Sequence, residues 1–271
     1  MSEFKMIAFD MDGTLLNREK HLTEGNRLAL EKAFDAGKEV VLCTGRSVSE
    51  LLPFFEQIPR LRYAVCVSGA FVYDRQEDDF LTGHGLAESD CRKIISVAGQ
   101  EDTMLQFLGR HSILQRDRFA QVAKYHMQQY EELHRVCSTL VDSSAACYEN
   151  ERPLLGKINI YHTDVEARER SLSRLQGLPL EIVYAEDTGL ECSPAGISKA
   201  VGLQELCEIL QIPLAETIAV GDADNDLAAL RIAGLPIAMG NANAHVKEVC
   251  KAVVADNEHD GCAEAVERFL L

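Results

Sequence analysis

The chain opens with a short apolar run that stops at two aspartates, and this feature constrains the fold most strongly. Met6–Phe9 is apolar, favours a buried β-strand, and is followed by Asp10, Met11, Asp12 and Gly13. Open α/β sheets bind ligands just outside the carboxyl ends of their strands. Glycine allows the backbone to turn there and to approach an anion closely. The sequence therefore predicts a functional site at the end of the first strand.

The two carboxylates suit a phosphoryl transfer. Asp10 could attack phosphorus to form an aspartyl-phosphate, as carboxylate nucleophiles do. Asp12 could protonate the leaving alkoxide and later deprotonate the water that cleaves this intermediate. Because neighbouring carboxylates repel each other, a divalent cation is expected, and Mg²⁺ prefers oxygen ligands and substrate phosphates. An ordinary acidic turn is the alternative explanation of this segment.

A second apolar run, Glu39–Thr44, ends in Thr44, Gly45 and Arg46. A hydroxyl, a free backbone N–H and a guanidinium at a strand end can together bind a phosphate, and arginine can do so through two parallel bonds. Thr-Gly is common at strand ends, so this segment is informative only together with the others.

The third segment contains Ser198 and Lys199, directly before a run with leucines at helical spacing. Ser198 is suited to the N-cap of that helix. A lysine in the first helical turn is unfavourable for the helix dipole, which suggests a role other than helix stability. An exposed surface lysine is the alternative.

The fourth segment is another apolar run, which breaks at Gly221 and delivers several oxygen donors. These are the ligands that a hard cation requires. The alternative is an acidic helix N-terminus, where aspartate favours the dipole. The polar residues of this segment are Asp222, Asp224, Asn225 and Asp226.

The four segments, DMDGT, TGR, GISK and GDADND, occur in the order found in the haloacid dehalogenase (HAD) superfamily of phosphohydrolases. The chain resembles the Cof-like sugar phosphatase branch, and the likeness continues through Ile237–Ala242 and Asp260-Gly261. The resemblance implies an α/β fold, with a doubly wound, parallel-sheet, Rossmann-like core and an inserted α+β cap. It also implies a Mg²⁺-dependent phosphatase that hydrolyses small phosphomonoesters, sugar phosphates most of all.

The resemblance also implies a role for each motif residue. Asp10 would be the nucleophile and a metal ligand, and Asp12 the general acid and base whose backbone carbonyl also faces the metal. Asp222 would be a further metal ligand, and Asp226 would orient metal-bound water. The phosphate-binding residues would be Thr44, Gly45, Arg46, Lys199 and Asn225.

One position departs from the family pattern. The third apolar run, Ala64–Val67, is followed by Ser68, Gly69 and Ala70, where the family often has Asn-Gly-Ala. Serine keeps a small hydrogen-bonding group, its hydroxyl, but lacks the separate carbonyl and NH₂ groups of the asparagine amide. This difference concerns substrate contacts at Ser68 and leaves the core chemistry unaffected.

The distribution of apolar runs along the chain predicts its division into domains. Apolar runs alternate with amphipathic stretches over 1–82 and again over 189–271, which is typical of βαβ units and a parallel sheet. Between them, 83–188 reads as the inserted cap. It contains a helical region over 119–136, a strand over 157–162 and a charged helix over 165–175.

Composition restricts the partners. The 271 residues include 43 acidic and 27 basic side chains, and the net charge is −16. Such a surface repels nucleic acid and anionic membranes, so a small phosphate ester is the expected partner. We expect a cytoplasmic protein, because no 18-residue apolar stretch or signal-peptide region is found. The nine cysteines contain no C-x-x-C pair and support neither disulfides nor zinc.

Two other functions remain open from the sequence, which does not reveal the oligomeric state. A phosphomutase would pass the same aspartyl-phosphate to a sugar hydroxyl, and a large cap suits both enzymes. A non-catalytic module resembling response-regulator receivers also uses an acidic pocket, a threonine and a lysine. Its nucleophile would not be expected on the first strand in D-x-D form.

Overall fold

The computed structural model describes residues 3–271. The chain forms fourteen β-strands and eleven α-helices within these residues. The strands are β1 (Met6–Phe9), β2 (Glu39–Cys43), β3 (Tyr63–Cys66), β4 (Phe71–Asp74), β5 (Asp79–Gly83), β6 (Thr103–Gly109), β7 (Ser112–Gln115), β8 (Ser138–Val141), β9 (Leu155–His162), β10 (Leu180–Ala185), β11 (Gly189–Pro194), β12 (Thr217–Gly221), β13 (Leu235–Ala238) and β14 (Ala252–Val253). The helices are α1 (Glu24–Asp35), α2 (Val48–Gln57), α3 (Glu88–Ala98), α4 (Arg116–Phe119), α5 (Glu131–Cys137), α6 (Ser144–Glu151), α7 (Val165–Leu175), α8 (Lys199–Leu210), α9 (Leu227–Ile232), α10 (Ala244–Val249) and α11 (Gly261–Ala265).

Internal contacts divide the chain into two compact units. The first unit comprises the described residues up to Gly45, Phe54–Thr82 and Ser198–Leu271. The second unit comprises Arg46–Pro53 and Gly83–Ile197. The short segment 46–53, which was expected in the core, therefore makes most of its contacts within the second unit.

An eight-stranded sheet forms the centre of the first unit, in the order β14-β13-β12-β1-β2-β3-β4-β5. The six strands from β14 to β3 run parallel, and β4 is antiparallel to β3. Strands β1 and β3 are buried along their whole length, as apolar strands of a parallel sheet must be when both faces are covered. This confirms the predicted doubly wound α/β core.

The strand register determines which residues emerge together at one edge of this sheet. Phe9, the last residue of β1, pairs with Leu42 of β2 on one side and Val220 of β12 on the other. Because the three strands are parallel, the residues that follow them leave at the same edge. Asp10 therefore lies beside the segments that begin at Cys43 and Gly221.

Helix α8 packs against the same sheet. Its Leu203 and Leu206 recur at helical spacing, are fully buried, and join a core cluster with Met6 and Val41. Ser198 is the residue before the first helical turn, as expected, although its hydroxyl makes no capping hydrogen bond. The buried leucines anchor the helix so that its N-terminus, with Lys199, is fixed within the first unit.

The second unit is built on a six-stranded sheet in the order β10-β11-β9-β6-β7-β8. The pairings are antiparallel except that between β7 and β8. β11 pairs with both β9 and β10, so Gly189–Pro194 belongs to this sheet, although we expected the core to resume at 189. A two-residue spacing along β9 separates a buried apolar face with Ile158 and Ile160 from a polar face.

The helical region expected over 119–136 is broken in the structure. It consists of the end of α4, two 3₁₀ turns over Val122–Tyr125 and Gln128–Tyr130, and α5. His126 has a left-handed backbone conformation with φ of 58°, which ends the first 3₁₀ turn. By contrast, the helix expected at 165–175 is present with the same bounds. No helix among residues 3–271 is both long and apolar enough to cross a membrane.

Candidate active site

Asp10 lies at the end of β1 and is buried, with 6% of its surface exposed. Its backbone N–H donates to the carbonyl of Val220 at 3.0 Å, which continues the parallel ladder by one residue. Its carboxylate accepts a hydrogen bond from Nζ of Lys199 at 2.6 Å. Burial raises the pKa of Asp10 to about 7, although Lys199 opposes the rise.

Lys199 is 1% exposed, which rules out the surface-lysine alternative. Its Nζ atom donates to Oδ1 of Asp10 and, at 2.7 Å, to Oδ1 of Asp226. Burial acts to lower the pKa of Lys199, but the two carboxylates outweigh it and hold the pKa above its ordinary value. A charged lysine is thus fixed beside the proposed nucleophile.

Asp226 organises the loop that follows β12. Its Oδ2 atom accepts the backbone N–H groups of Asp222 at 3.0 Å and of Ala223 at 3.1 Å. Gly221 is required at this turn, because a Cβ atom there would lie 2.6 Å from the side chain of Asp226. Asp226 therefore holds this loop through its Oδ2 atom and holds the ammonium group of Lys199 through its Oδ1 atom.

Asp222 completes a cluster of three carboxylates with Asp10 and Asp226, in which one oxygen of each lies within 4.8 Å of the others. Oδ1 of Asp222 accepts a hydrogen bond from the hydroxyl of Thr14 at 2.8 Å. Gly13, with φ of +87°, leaves the space that Asp222 fills, because a Cβ atom there would lie 2.5 Å from Oδ2.

This cluster has the properties of a metal site. Its donors are all oxygens, and burial raises the pKa values of both Asp10 and Asp222 because their charges are poorly solvated. A hard divalent cation would neutralise this charge and prefers such ligands. The residues present therefore fit a bound cation of that class.

Asp12 is positioned differently from Asp10. Its side chain is partly exposed and forms an ion pair with Lys20, whose Nζ atom lies 2.8 Å from Oδ1. The carboxylate of Asp12 is not among the three that form the acidic cluster. Lys20 was not expected from the sequence, because an isolated lysine in a polar loop carries no recognisable signal.

The remaining predicted residues lie in the segment after β2 and in the loop after β12 that also carries Asp222 and Asp226. Thr44 is buried after β2, and its carbonyl accepts the N–H of Ser68 at 2.9 Å, so the second and third strand ends are adjacent. Gly45 follows as the last residue of this stretch of the first unit. Asn225 is exposed in the 3₁₀ turn Asp224–Asp226.

Arg46, the last predicted phosphate-binding residue, belongs to the second unit and is buried. Burial lowers the pKa of His134 and raises the pKa of Cys137, and within that unit the guanidinium of Arg46 lies close enough to act on both, adding to the first shift and opposing the second. Ser68, the residue that departs from the family pattern, has a left-handed backbone with φ of 57°. Asparagine tolerates that conformation better than most residues do.

Two further polar residues support the site and were not assigned from the sequence. Thr14 is fully buried and holds Asp222, and Asn241 donates from Nδ2 to the carbonyl of Gly13 at 2.8 Å. Both lie in segments through which the family resemblance runs, so motif likeness was the available signal. Their partners depend on contacts between distant parts of the chain.

The chain was compared with known proteins. A family model described as haloacid dehalogenase-like hydrolase matches residues 7–266. Two phosphatases of 5-amino-6-(5-phospho-D-ribitylamino)uracil from Bacillus subtilis, YcsE and YitU, are 28% and 26% identical, and each alignment covers at least 97% of both chains. A crystal structure of a haloacid dehalogenase-like hydrolase from Bacteroides thetaiotaomicron is 25% identical with a TM-score of 0.85, and the match covers 98% of this chain and 99% of that one.

Fold, site and comparisons together define a class. The chain belongs to the haloacid dehalogenase-like hydrolase family. Within that family it is a phosphoric monoester hydrolase, since YcsE, YitU and a third Bacillus subtilis relative that matches over nearly the full length of both chains are named as phosphatases. The predicted family and enzyme class are thereby confirmed.

Proposed function

We propose that this protein is a Mg²⁺-dependent phosphatase of small phosphomonoesters, sugar phosphates above all, which works through an aspartyl-phosphate on Asp10. The observation that carries the proposal is the buried pairing of Asp10 with Lys199 at 2.6 Å, at the edge of the sheet where Asp222 and Asp226 also converge. A nucleophile, a fixed positive charge and a cation site at one strand end are the elements of phosphoryl transfer.

In the first step, a carboxylate oxygen of Asp10 attacks phosphorus and the bond from phosphorus to the ester oxygen breaks. The carboxyl group of Asp12 gives its proton to the departing oxygen, so the alcohol leaves neutral. Lys199 stabilises the charge on the transferring group, because its ammonium is already held in place and needs no reorganisation. Thr44 is suited to bind a phosphoryl oxygen from the neighbouring strand end.

In the second step, Asp12, now a carboxylate, takes a proton from water. The water oxygen attacks phosphorus, the acyl-phosphate bond breaks, and Asp10 is released with inorganic phosphate. The acid and base functions thus return to their starting state after each turnover. Asp12 suits this exchange because it is partly exposed, whereas Asp10 is buried.

Asp10 and Asp222 would hold the metal through their carboxylates and Asp12 through its backbone carbonyl, while Asp226 orients the loop around them. When bound, Mg²⁺ would neutralise the carboxylates and the substrate phosphate. Asp226 is not assigned as a ligand in this proposal, because both of its oxygens already accept hydrogen bonds. The role that the family resemblance gives it, to orient metal-bound water, stays a prediction.

Two lines of support bear on the substrate. The relatives named above are phosphatases of a phosphorylated ribityl compound, which is a polyol phosphate. The second unit also offers a buried polar cluster on one face of its sheet, and hydroxyl-rich leaving groups are recognised by such hydrogen-bonding side chains. This cluster consists of Gln106, Lys157, Asn159 and Tyr161.

The test is a screen of phosphorylated metabolites, with ribitol, ribose and hexose phosphates among them, in the presence of Mg²⁺. We expect multiple turnovers on several polyol or sugar phosphates. Borohydride reduction during turnover should label Asp10 alone, and Asp10→Asn should abolish both labelling and turnover. Near-normal activity of Asp10→Asn would contradict the assignment. A new phosphate ester without ¹⁸O, formed in labelled water in place of ¹⁸O-containing inorganic phosphate, would instead indicate transfer to a sugar hydroxyl.

A further inference from the structure

The loop that follows the first strand folds back so that Lys20 meets Asp12. Backbone bridges join Asp12 to Leu16 and Leu16 to Leu22, which brings the two sides of the loop together. At its tip, the N–H of Asn17 donates to the carbonyl of His21 at 3.0 Å. The loop is therefore a closed hairpin, and Lys20 lies on its return side.

The side chain of Asn17 shapes the tip of this hairpin. Its Oδ1 atom accepts the N–H of His21 at 2.9 Å, and its carbonyl accepts the N–H of Lys20, also at 2.9 Å. These bonds hold Lys20 in a left-handed conformation with φ of 63°. Glycine or asparagine would suit that conformation better, so backbone preference does not explain a lysine at this position.

A contribution of the ion pair to folding stability does not explain why a lysine occupies this position either. The side chains of Lys20 and Asp12 are 38% and 32% exposed, and partly exposed ion pairs contribute little to folding. The pair does however fix one oxygen of a side chain that must present its carboxyl group to a substrate atom. Such a role depends on geometry, and small misplacements of a catalytic group are costly.

We propose that Lys20 is a positioning residue, which holds the carboxyl group of Asp12 in the orientation needed for proton exchange with the ester oxygen. The inference rests on the proposed function, in which Asp12 is the general acid. Its consequence is selective, because a poor leaving group requires the proton at the moment of bond breaking and a good one does not. Lys20 should therefore matter for some esters and hardly at all for others.

The experiment compares kcat/KM for phenyl phosphate and p-nitrophenyl phosphate, two esters of similar shape whose leaving groups differ in basicity. Lys20→Met should lower the value for phenyl phosphate by roughly 10-fold or more, a fraction of the full contribution of a general acid. The value for p-nitrophenyl phosphate should change less than about 2-fold, since p-nitrophenolate leaves without a proton. Lys20→Arg should restore most of the loss, because it keeps the ion pair.

Lys32→Met is the matched control, because Lys32 also forms an exposed ion pair in the first unit, with Glu267 at 2.6 Å. It should leave both esters unaffected. Thermal unfolding and calorimetric Mg²⁺ affinity of Lys20→Met should match the wild type, which separates positioning from a loss of fold or of the metal site. If Lys20→Met does not fold, Lys20→Gln serves in its place.

A double variant decides whether Lys20 acts through Asp12. In the Asp12→Asn background, adding Lys20→Met should cause no further loss on phenyl phosphate. A further loss would mean direct contact with the substrate and would overturn the inference, as would equal losses on both esters or no loss at all. A wild type that hydrolyses neither these two esters nor any phosphate ester of the metabolite screen would overturn the proposed function and this inference together. If the wild type turns over both esters and Lys20→Met loses the same factor on each, the inference alone would be overturned.

Discussion

Nζ of Lys199 lies 2.6 Å from Oδ1 of Asp10, although the two residues are 189 positions apart in the chain. Both side chains are buried, so water screens neither charge. A lysine at a helix N-terminus is electrostatically unfavourable, because the helix dipole places positive charge there. The ion pair with the distant Asp10 compensates for this cost. It is the contact on which we base the proposal that Lys199 takes part in the chemistry.

Lys199→Met should lower kcat/KM by roughly 10²-fold or more, the effect of removing one preorganised charge from the transition state. It should also destabilise the metal-free protein by about 3 kcal/mol, because two buried carboxylates lose their counter-charge. Lys5→Met, which removes the ion pair between the exposed Lys5 and the partly buried Glu216, is the control and should change both quantities far less. Steady-state kinetics and urea unfolding measure the two effects, and an unaltered rate would remove Lys199 from the mechanism.

Asp222→Asn should weaken Mg²⁺ binding at least ~10-fold. Even the loss of a residue that only hydrogen-bonds to a metal ligand typically lowers metal affinity ~10–100-fold. Titration calorimetry measures this affinity directly, without substrate. The control is Asp224→Asn, a neighbouring aspartate that is exposed and lies outside the acidic cluster. Similar affinity in both variants, or full wild-type activity in excess EDTA, would contradict the proposed cation site.

Asn159→Leu should change the ranking of substrates more than the rate on p-nitrophenyl phosphate. Asn159 donates from Nδ2 to Gln106 and Tyr161, while its Oδ1 atom is buried without a hydrogen-bond partner among residues 3–271. A buried acceptor of this kind can discriminate a ligand that supplies a donor from one that does not. The measurement is kcat/KM for several sugar phosphates relative to p-nitrophenyl phosphate.

Ile158→Val is the matched control for Asn159→Leu, because Ile158 is the preceding residue and faces the apolar side of the same strand. It should preserve the ranking. Uniform losses over all esters in Asn159→Leu would indicate only a disturbed fold. Lys157 shares the polar face but forms an ion pair with Glu191, so its substitution would be harder to interpret.

His162→Gln should reduce the loss of stability on acidification. His162 is fully buried, its Nδ1–H donates to the carbonyl of Thr188, and its Nε2 accepts from Ser171. Burial lowers its pKa below the ordinary value of 6.5. The unfolded chain therefore binds the proton more readily, so this group's contribution to stability is present above pH 6.5 and is lost as the pH falls below it.

Urea unfolding at about pH 7.5 and about pH 5 measures the drop in the free energy of unfolding. The drop should be smaller in His162→Gln than in the wild type. His21→Gln, at an exposed histidine, should retain the wild-type drop. An equal drop in all three proteins would assign the acid sensitivity to other groups, of which the buried His134 is the first candidate.

Local patterns predicted the elements well where the pattern was long and regular. The strand ending before Asp10 and the helix over 165–175 follow directly from apolar periodicity. The expected helical region over 119–136 shows the limit, since a left-handed residue at His126 and successive short turns interrupt it. Strand β11 shows a second limit of prediction from local patterns. Its short sequence is compatible with either sheet, and only its pairing with β9 assigns it to the second one.

The sequence by itself determined the chemistry available at each strand end, because the residue types at Asp10, Thr44 and Asp222 follow apolar runs within a few positions. Only the tertiary structure decided which groups meet. Parallel strand order brings Asp222 and Asp226 to Asp10, helix packing buries Lys199 between two carboxylates, and a closed hairpin returns Lys20 to Asp12. These pairings depend on long-range register and loop geometry, neither of which is encoded in a local pattern.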